Sequence, residues 1–176
     1  MQGNVPWPPS DVVKLEKALD DLAASVSEPP SGRTDDEQIW LTRFLVVRSC
    51  GYLEQVMHRC TVEHLEQRSY GTARSYALSW LERSINPSLG NVSTTLGRFD
   101  QHLADEFESL LSDDDNELKN ELSVLVAKRH AIAHGTNEGL GSQRALALYQ
   151  VAKRVADWMI LRLNPDSARG SSFSRR

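Results

Sequence analysis

Cysteine is scarce in this 176-residue chain, with only Cys50 and Cys60 present. Both fall inside one helical pattern. At about 1.5 Å of rise per residue they lie roughly 15 Å apart, beyond the ~7 Å Cα separation that a disulfide spans. The expectation is two small buried thiols in a reducing compartment, and no ligand-spaced cluster suggests structural zinc. Long apolar runs are also missing, since none approaches the roughly 18 residues needed to cross a bilayer. Met1 to Ser10 is polar and proline-rich, with neither the basic nor the apolar region of a secretory signal. These absences together lead to the expectation of a cytoplasmic protein with no membrane partner. Neither strand-type alternation nor an internal repeat is visible.

Basic charge is in short supply overall: the net charge is −4, which argues against a general nucleic-acid coat protein. Its distribution is uneven. Asp100 to Glu121 holds nine acidic residues against Lys119 alone, whereas Lys128 to the end holds nine basic residues against three acidic ones. A local basic surface can attract a polyanion even on an acidic chain. With 40% hydrophobic and 25% charged residues, the composition fits one globular domain with a sizeable core.

The apolar spacing is helical throughout. Ser10 is expected to cap a first helix whose stripe runs Val12, Leu15, Leu19, Leu22, Val26. Pro29, Pro30 and Gly32 break it. Thr34 and Glu37 form a capping-box pattern that opens a long second helix to about Arg68, with a break expected after Thr61. Gly71 and Thr72 open a shorter helix carrying Tyr76, Trp80 and Leu81, closed by Asn86-Pro87. Val92, Leu96, Phe99, Leu103, Phe107 and Leu110 mark the next helix. The acidic turn Ser112 to Asp115 suits the start of another, because carboxylates complement a helix N-terminus. That helix carries Leu118, Leu122 and Leu125 and stops at Gly135. Ser142 is expected to cap the last helix, with Leu148, Val151, Val155 and Trp158, ending at Asn164-Pro165. The fold class expected is all-α, a compact bundle of five to six helices. The domain spans 10–164, between flexible tails at 1–9 and 165–176.

Charged residues on apolar faces are the informative departures. Arg129 falls four residues after Leu125 and three before Ile132, on the core stripe. A buried guanidinium needs a carboxylate, backbone carbonyls or an anion, unless it snorkels to water. His134 ends the same helix, where the dipole favours imidazolium and acid–base chemistry is within reach, although histidine is also an ordinary capping residue there. His130 and His134 share a face at i, i+4, as metal ligands can. A metal would need a third ligand such as Glu138, and no H-E-x-x-H pattern exists. In the second helix Glu54 lies among Val47, Cys50, Gly51 and Met57, and Arg48 among Phe44, Leu45, Gly51 and Tyr52. Six residues apart, the two are about 120° apart around the helix and do not pair with each other. An Arg129–Glu54 contact would satisfy two awkward charges at once, as a structural ion pair or as part of a site.

The string Lys128-Arg129-His130-Ala131-Ile132-Ala133-His134-Gly135 contains Arg, four residues, then His, late in a small helical chain. It resembles the R-x4-6-H motif of the HEPN (higher eukaryotes and prokaryotes nucleotide-binding) superfamily. The run Phe44 to Glu54, with Arg48 and Glu54, resembles the second helix of its RiboL-PSP-HEPN subfamily. The resemblance covers roughly Thr34 to Asn164. One departure stands out: many members carry a polar residue, often Asn, directly after the Arg, and this chain has His130.

The resemblance implies an up-down HEPN bundle and a metal-independent RNA endonuclease without cofactor. In that reading His134 is general base or acid at the ribose 2′-OH and leaving oxygen, and Arg129 stabilises the scissile phosphate. His130, Glu54, Arg48 and Lys128 support the site or position substrate. The products would be a 2′,3′-cyclic phosphate and a 5′-hydroxyl. The resemblance also implies a homodimer whose two motifs line one cleft, and a toxin or antiphage role restrained by an antitoxin or regulatory partner. Two other readings stand beside it: a non-catalytic module that binds a nucleotide or protein partner, and a helical adaptor whose charges only fix packing.

Overall fold

A computed structural model describes residues 6–81, 88–135 and 139–166. Among these there are six helices and no strand: α1 Ser10–Ser27, α2 Asp35–Arg68, α3 Gly71–Ser79, α4 Leu89–Phe99, α5 Gln101–Ala133 and α6 Ser142–Arg162. The Asn86-Pro87 stop, Glu138 and residues 167–176 lie outside the described residues.

The first-helix stripe packs as its spacing requires, with Val12, Leu19 and Val26 buried and Leu15 and Leu22 half-buried against the core. Pro9, not Ser10, occupies the cap position of α1, and no side chain caps it. The α2 capping box forms in full: Thr34 Oγ1 accepts from the Glu37 N–H at 3.3 Å, and Glu37 Oε2 accepts from the Thr34 N–H at 2.9 Å. Such caps contribute about 1 kcal/mol. No break follows Thr61, whose hydroxyl donates back to the Met57 carbonyl at 2.7 Å inside a continuous helix.

α2 and α6 pack side by side in parallel. At one end Ser142 Oγ accepts from Gln38 Nε2 and shares a hydrogen bond with Thr42 Oγ1, each at 3.0 Å. At the other, His64 Nδ1 donates to the Leu163 carbonyl at 2.7 Å, and Arg68 donates to the Pro165 carbonyl. Ser142 is thus spent on α2, and Gly141 takes the cap position of α6. α1 runs antiparallel to α2, with Asp11 against Arg59 and Gln38 donating to the Val26 carbonyl. It is tied to α6 by Lys153, which pairs with Glu16 and with Asp20 at 3.3 Å, and by Tyr149, which donates to Asp20 at 2.7 Å. Trp7, within the expected tail, donates its indole N–H to the Ile160 carbonyl at 2.9 Å.

The largest departure from the sequence reading lies between residues 92 and 133. The helix expected to run through Leu110 ends at Phe99. Asp100 then caps α5 by accepting from the His102 N–H at 2.9 Å. α5 continues through the acidic turn that was expected to start a helix. There Asp115 and Asn116 hold left-handed φ values of 54° and 64°, which interrupts the regular path. Asp and Asn tolerate that conformation because their short polar side chains bond locally. α5 meets α6 on both sides of the interruption, through Phe107 against Trp158 at 5.3 Å and through Glu121 bidentate to Arg144. Phe107, Leu111, Leu122 and Leu125 are fully buried beneath it. No helix among the described residues is long and apolar enough to cross a membrane.

Candidate active site at the end of α5

The α5 stripe explains where Arg129 sits. Leu118, Leu122 and Leu125 are buried, and the helix then leaves the core, so the Arg129 side chain is 35% exposed. Its Nη2 lies 3.9 Å from Oε1 of Glu54, which is 19% exposed. The contact is an ion pair at the outer limit of reach. It joins α5 to α2 and brings together both charges flagged in the sequence. Cys50, fully buried beside them, has its thiol pushed up to about 11, first by burial and then by Glu54, with Arg129 opposing. Cys60 is likewise buried and pushed up to about 12 by burial, so both thiols are inert.

His134 is the C-cap of α5. Its backbone N–H donates to the His130 carbonyl at 3.0 Å, and Gly135 follows at φ 70°, the left-handed turn that glycine permits. The side chain of His134 is exposed, and Lys128 and His130 are half-buried. Five residues of helix separate Arg129 from His134 by about 7.5 Å along the axis and about 140° around it. Arg129 therefore faces α2 while His134 projects from the helix end. No hydrogen bond or ion pair joins the two among the described residues. Arg48 is exposed with its guanidinium 6.0 Å from the Phe44 ring, and it does not pair with Glu54 in this chain. Both nevertheless border one hollow of about 170 Å³, together with Gly51, Gln55, Leu15 and Leu19.

The sequence reading missed a larger cavity of about 590 Å³ where the end of α2 meets α3 and α4. Its walls include His64, Arg68, Tyr76, Trp80 and Arg98, with the Arg98 guanidinium 5.6 Å from the Trp80 ring. The available signal was the amphipathically poor α3, which buries none of its residues yet carries Tyr76, with Trp80 at its end. Burial holds the imidazole of His64 below its ordinary value; the bond to Leu163 opposes this and the Arg68 charge adds to it. His58 is lowered by burial and by Arg59. The folded chain thus binds fewer protons at these sites than the unfolded one. Their stabilisation is complete above the ordinary 6.5 and is lost as pH falls through the lowered folded values. Urea midpoints are expected to fall from about pH 7.5 to about pH 5.5, and His64→Gln should flatten that slope. An unchanged slope in the variant would remove His64 from the account.

The described residues form an all-helical domain that carries an R-x4-H pair at the end of α5. The chain belongs to the RiboL-PSP-HEPN family, whose sequence model matches residues 10–160. The match takes in α1 as well as the stretch from Thr34 onward. Neither the curated proteins nor the solved structures compared yield a match.

Proposed function

We propose that this chain is a metal-independent RNA endonuclease. His134 takes the proton of a ribose 2′-OH, whose oxygen attacks the adjacent phosphorus. The P–O5′ bond breaks, and the departing 5′ oxygen takes a proton from imidazolium, that of His134 or of its counterpart in a second copy, leaving a 2′,3′-cyclic phosphate and a 5′-hydroxyl. Arg129 carries the charge that builds on the phosphate, a task that suits its planar fork of donors. Glu54 holds Arg129 at the surface, and Arg48, His130 and Lys128 supply further groups that bind the strand. The observation that supports this best is an R-x4-H pair at the end of α5 in a family member, with Arg129 anchored by Glu54 and His134 open to solvent. Because Arg129 and His134 diverge around α5, a site assembled from two copies fits this chemistry better than one copy alone. The cellular role proposed is a cytoplasmic toxin or antiphage effector, restrained by an antitoxin or regulatory protein.

An RNA oligonucleotide incubated with the protein in EDTA is expected to yield fragments ending in 2′,3′-cyclic phosphate. The matching DNA strand, lacking the nucleophile, should survive. Cut DNA, or RNA fragments ending in a free 3′-hydroxyl, sinks the mechanism. A second reading, a non-catalytic module that binds a nucleotide or protein partner, draws on the cavity lined by Trp80 and Arg98. Saturable binding without cleavage products would favour it.

A further inference from the structure

Three helices turn one face each toward a single space at the far end of α2. His64, Leu65 and Arg68 of α2 stand about one turn apart, and so do Thr95, Arg98 and Phe99 of α4. α3 brings Tyr76, Ala77 and, at its C-cap, Trp80. Gly71, at φ 60°, lets the chain turn from α2 into α3, and Arg74 ties the two helices by pairing with Glu66 at 2.9 Å. The cavity between the three helices measures about 590 Å³, within the range of about 300–1,000 Å³ that small-molecule sites occupy.

The floor and the rim of this cavity differ in character. Leu81 and Thr95 are 7% and 2% exposed and close the bottom, with Leu65, Ala77 and Phe99 half-buried. Tyr76 and Trp80 are 66% and 58% exposed at the opening, where water would favour polar groups. Two exposed guanidiniums stand at the same rim. Arg98 lies 5.6 Å from the Trp80 ring, and Arg68 donates to the Pro165 carbonyl. Among the described residues no carboxylate lines the cavity, and none pairs with either arginine. Glu66, two residues before Arg68, is engaged by Arg74.

We infer that this cavity binds a small aromatic carboxylate, its ring against Trp80 and Phe99 and its head on the guanidiniums of the rim. A carboxylate accepts two parallel bonds from the planar fork of an arginine, and the unmatched positive charge there supplies the attraction. Flat rings suit the body of the ligand. His64 meets Phe99 edge-on at 5.8 Å and Tyr76 meets Trp80 edge-on at 6.2 Å, and a further ring can join in offset or edge-on contact. A nucleotide suits the space less well, because its sugar and base carry polar edges that Leu65, Ala77, Leu81 and Phe99 would leave unpaired. The site is separate from the Arg129–Glu54 pair: Arg68 follows Glu54 by fourteen residues, about 21 Å along α2. It therefore does not depend on the nuclease reading.

Calorimetric titration of the full chain with naphthoate tests this, with naphthalenemethanol as the neutral ligand of similar shape. One naphthoate is expected to bind with a Kd of about 100 μM or tighter, and the alcohol roughly 10-fold more weakly or worse. Arg98→Gln, a change confined to an exposed side chain, should weaken the acid by about 10-fold and leave the alcohol unchanged. Trp80→Ala should weaken both ligands, because the ring contact serves each. Ala77→Phe, which fills the cavity from α3, should abolish binding while the helical spectrum stays the same. Absence of saturable heat overturns the inference, as does an R98Q chain that binds the acid as the wild type does. An alcohol as tight as the acid would leave an apolar hollow whose rim reads no charge, and so overturns it too. AMP that displaces naphthoate at lower concentration would give the cavity to a nucleotide instead. RNA cleavage is a separate readout: a chain that cuts RNA but takes up no naphthoate defeats this site alone, and one that binds naphthoate but cuts nothing defeats only the nuclease.

Discussion

Replacing His134 by alanine is expected to slow RNA cleavage by about 100- to 10,000-fold, the range that a positioned acid–base group contributes. The fold should not change. His134 is exposed, and what it gives α5 is a backbone N–H bond to the His130 carbonyl, which alanine keeps. Loss of rate at constant helical spectrum and constant denaturation midpoint would therefore report chemistry. His134→Gln, which retains hydrogen bonding but cannot shuttle a proton at neutral pH, should be as slow as alanine. A glutamine variant near wild-type rate would reduce His134 to a strand-binding contact. Activity within a few fold of wild type in both variants would falsify its catalytic role.

Arg129→Ala is expected to cost about 100- to 1,000-fold in cleavage, comparable with removing one donor to a developing oxyanion. Its effect on stability should be small, under about 1 kcal/mol, because an ion pair so open to solvent contributes little. The pair with Glu54 is long, at 3.9 Å, and the arginine side chain is about a third exposed. Arg129→Lys should recover only part of the rate, since an ammonium lacks the planar fork. Arg129→Met keeps much of the aliphatic contact and loses the charge. If the arginine serves packing alone, methionine will leave both rate and stability intact, because its stem covers much of the same apolar surface. Steady-state cleavage rates and urea midpoints on the same four proteins separate these outcomes.

The helical fold was legible because its signals are local. The stripe from Val12 to Val26, the Thr34–Glu37 box and the burial of both cysteines each depend on residues within a few turns of one another, and all are present. The Arg129–Glu54 contact was anticipated from two charges on apolar faces, a case where the cost of an unpaired buried ion points to a partner. Ser10 and Ser142 show the limit. Both carry a capping side chain in the right place, but Pro9 takes the first cap position, and Ser142 bonds α2 across the bundle instead. The stretch around Asp100 misled in another way. The apolar period stays in phase from Val92 to Leu110, so it conceals the short break at which Asp100 caps α5.

By itself the chain of residues determined that this protein is helical, which faces are apolar, and that an R-x4-H pair ends one of its later helices. Hydrophobic period and capping chemistry act over one or two turns, so they are written in neighbouring residues. Packing alone decided the rest: the direction of α2 along α6, the left-handed step at Asp115-Asn116, and the cavity beside Trp80. Those features depend on which helices meet and at what register, which the spacing of residues along a single helix does not encode.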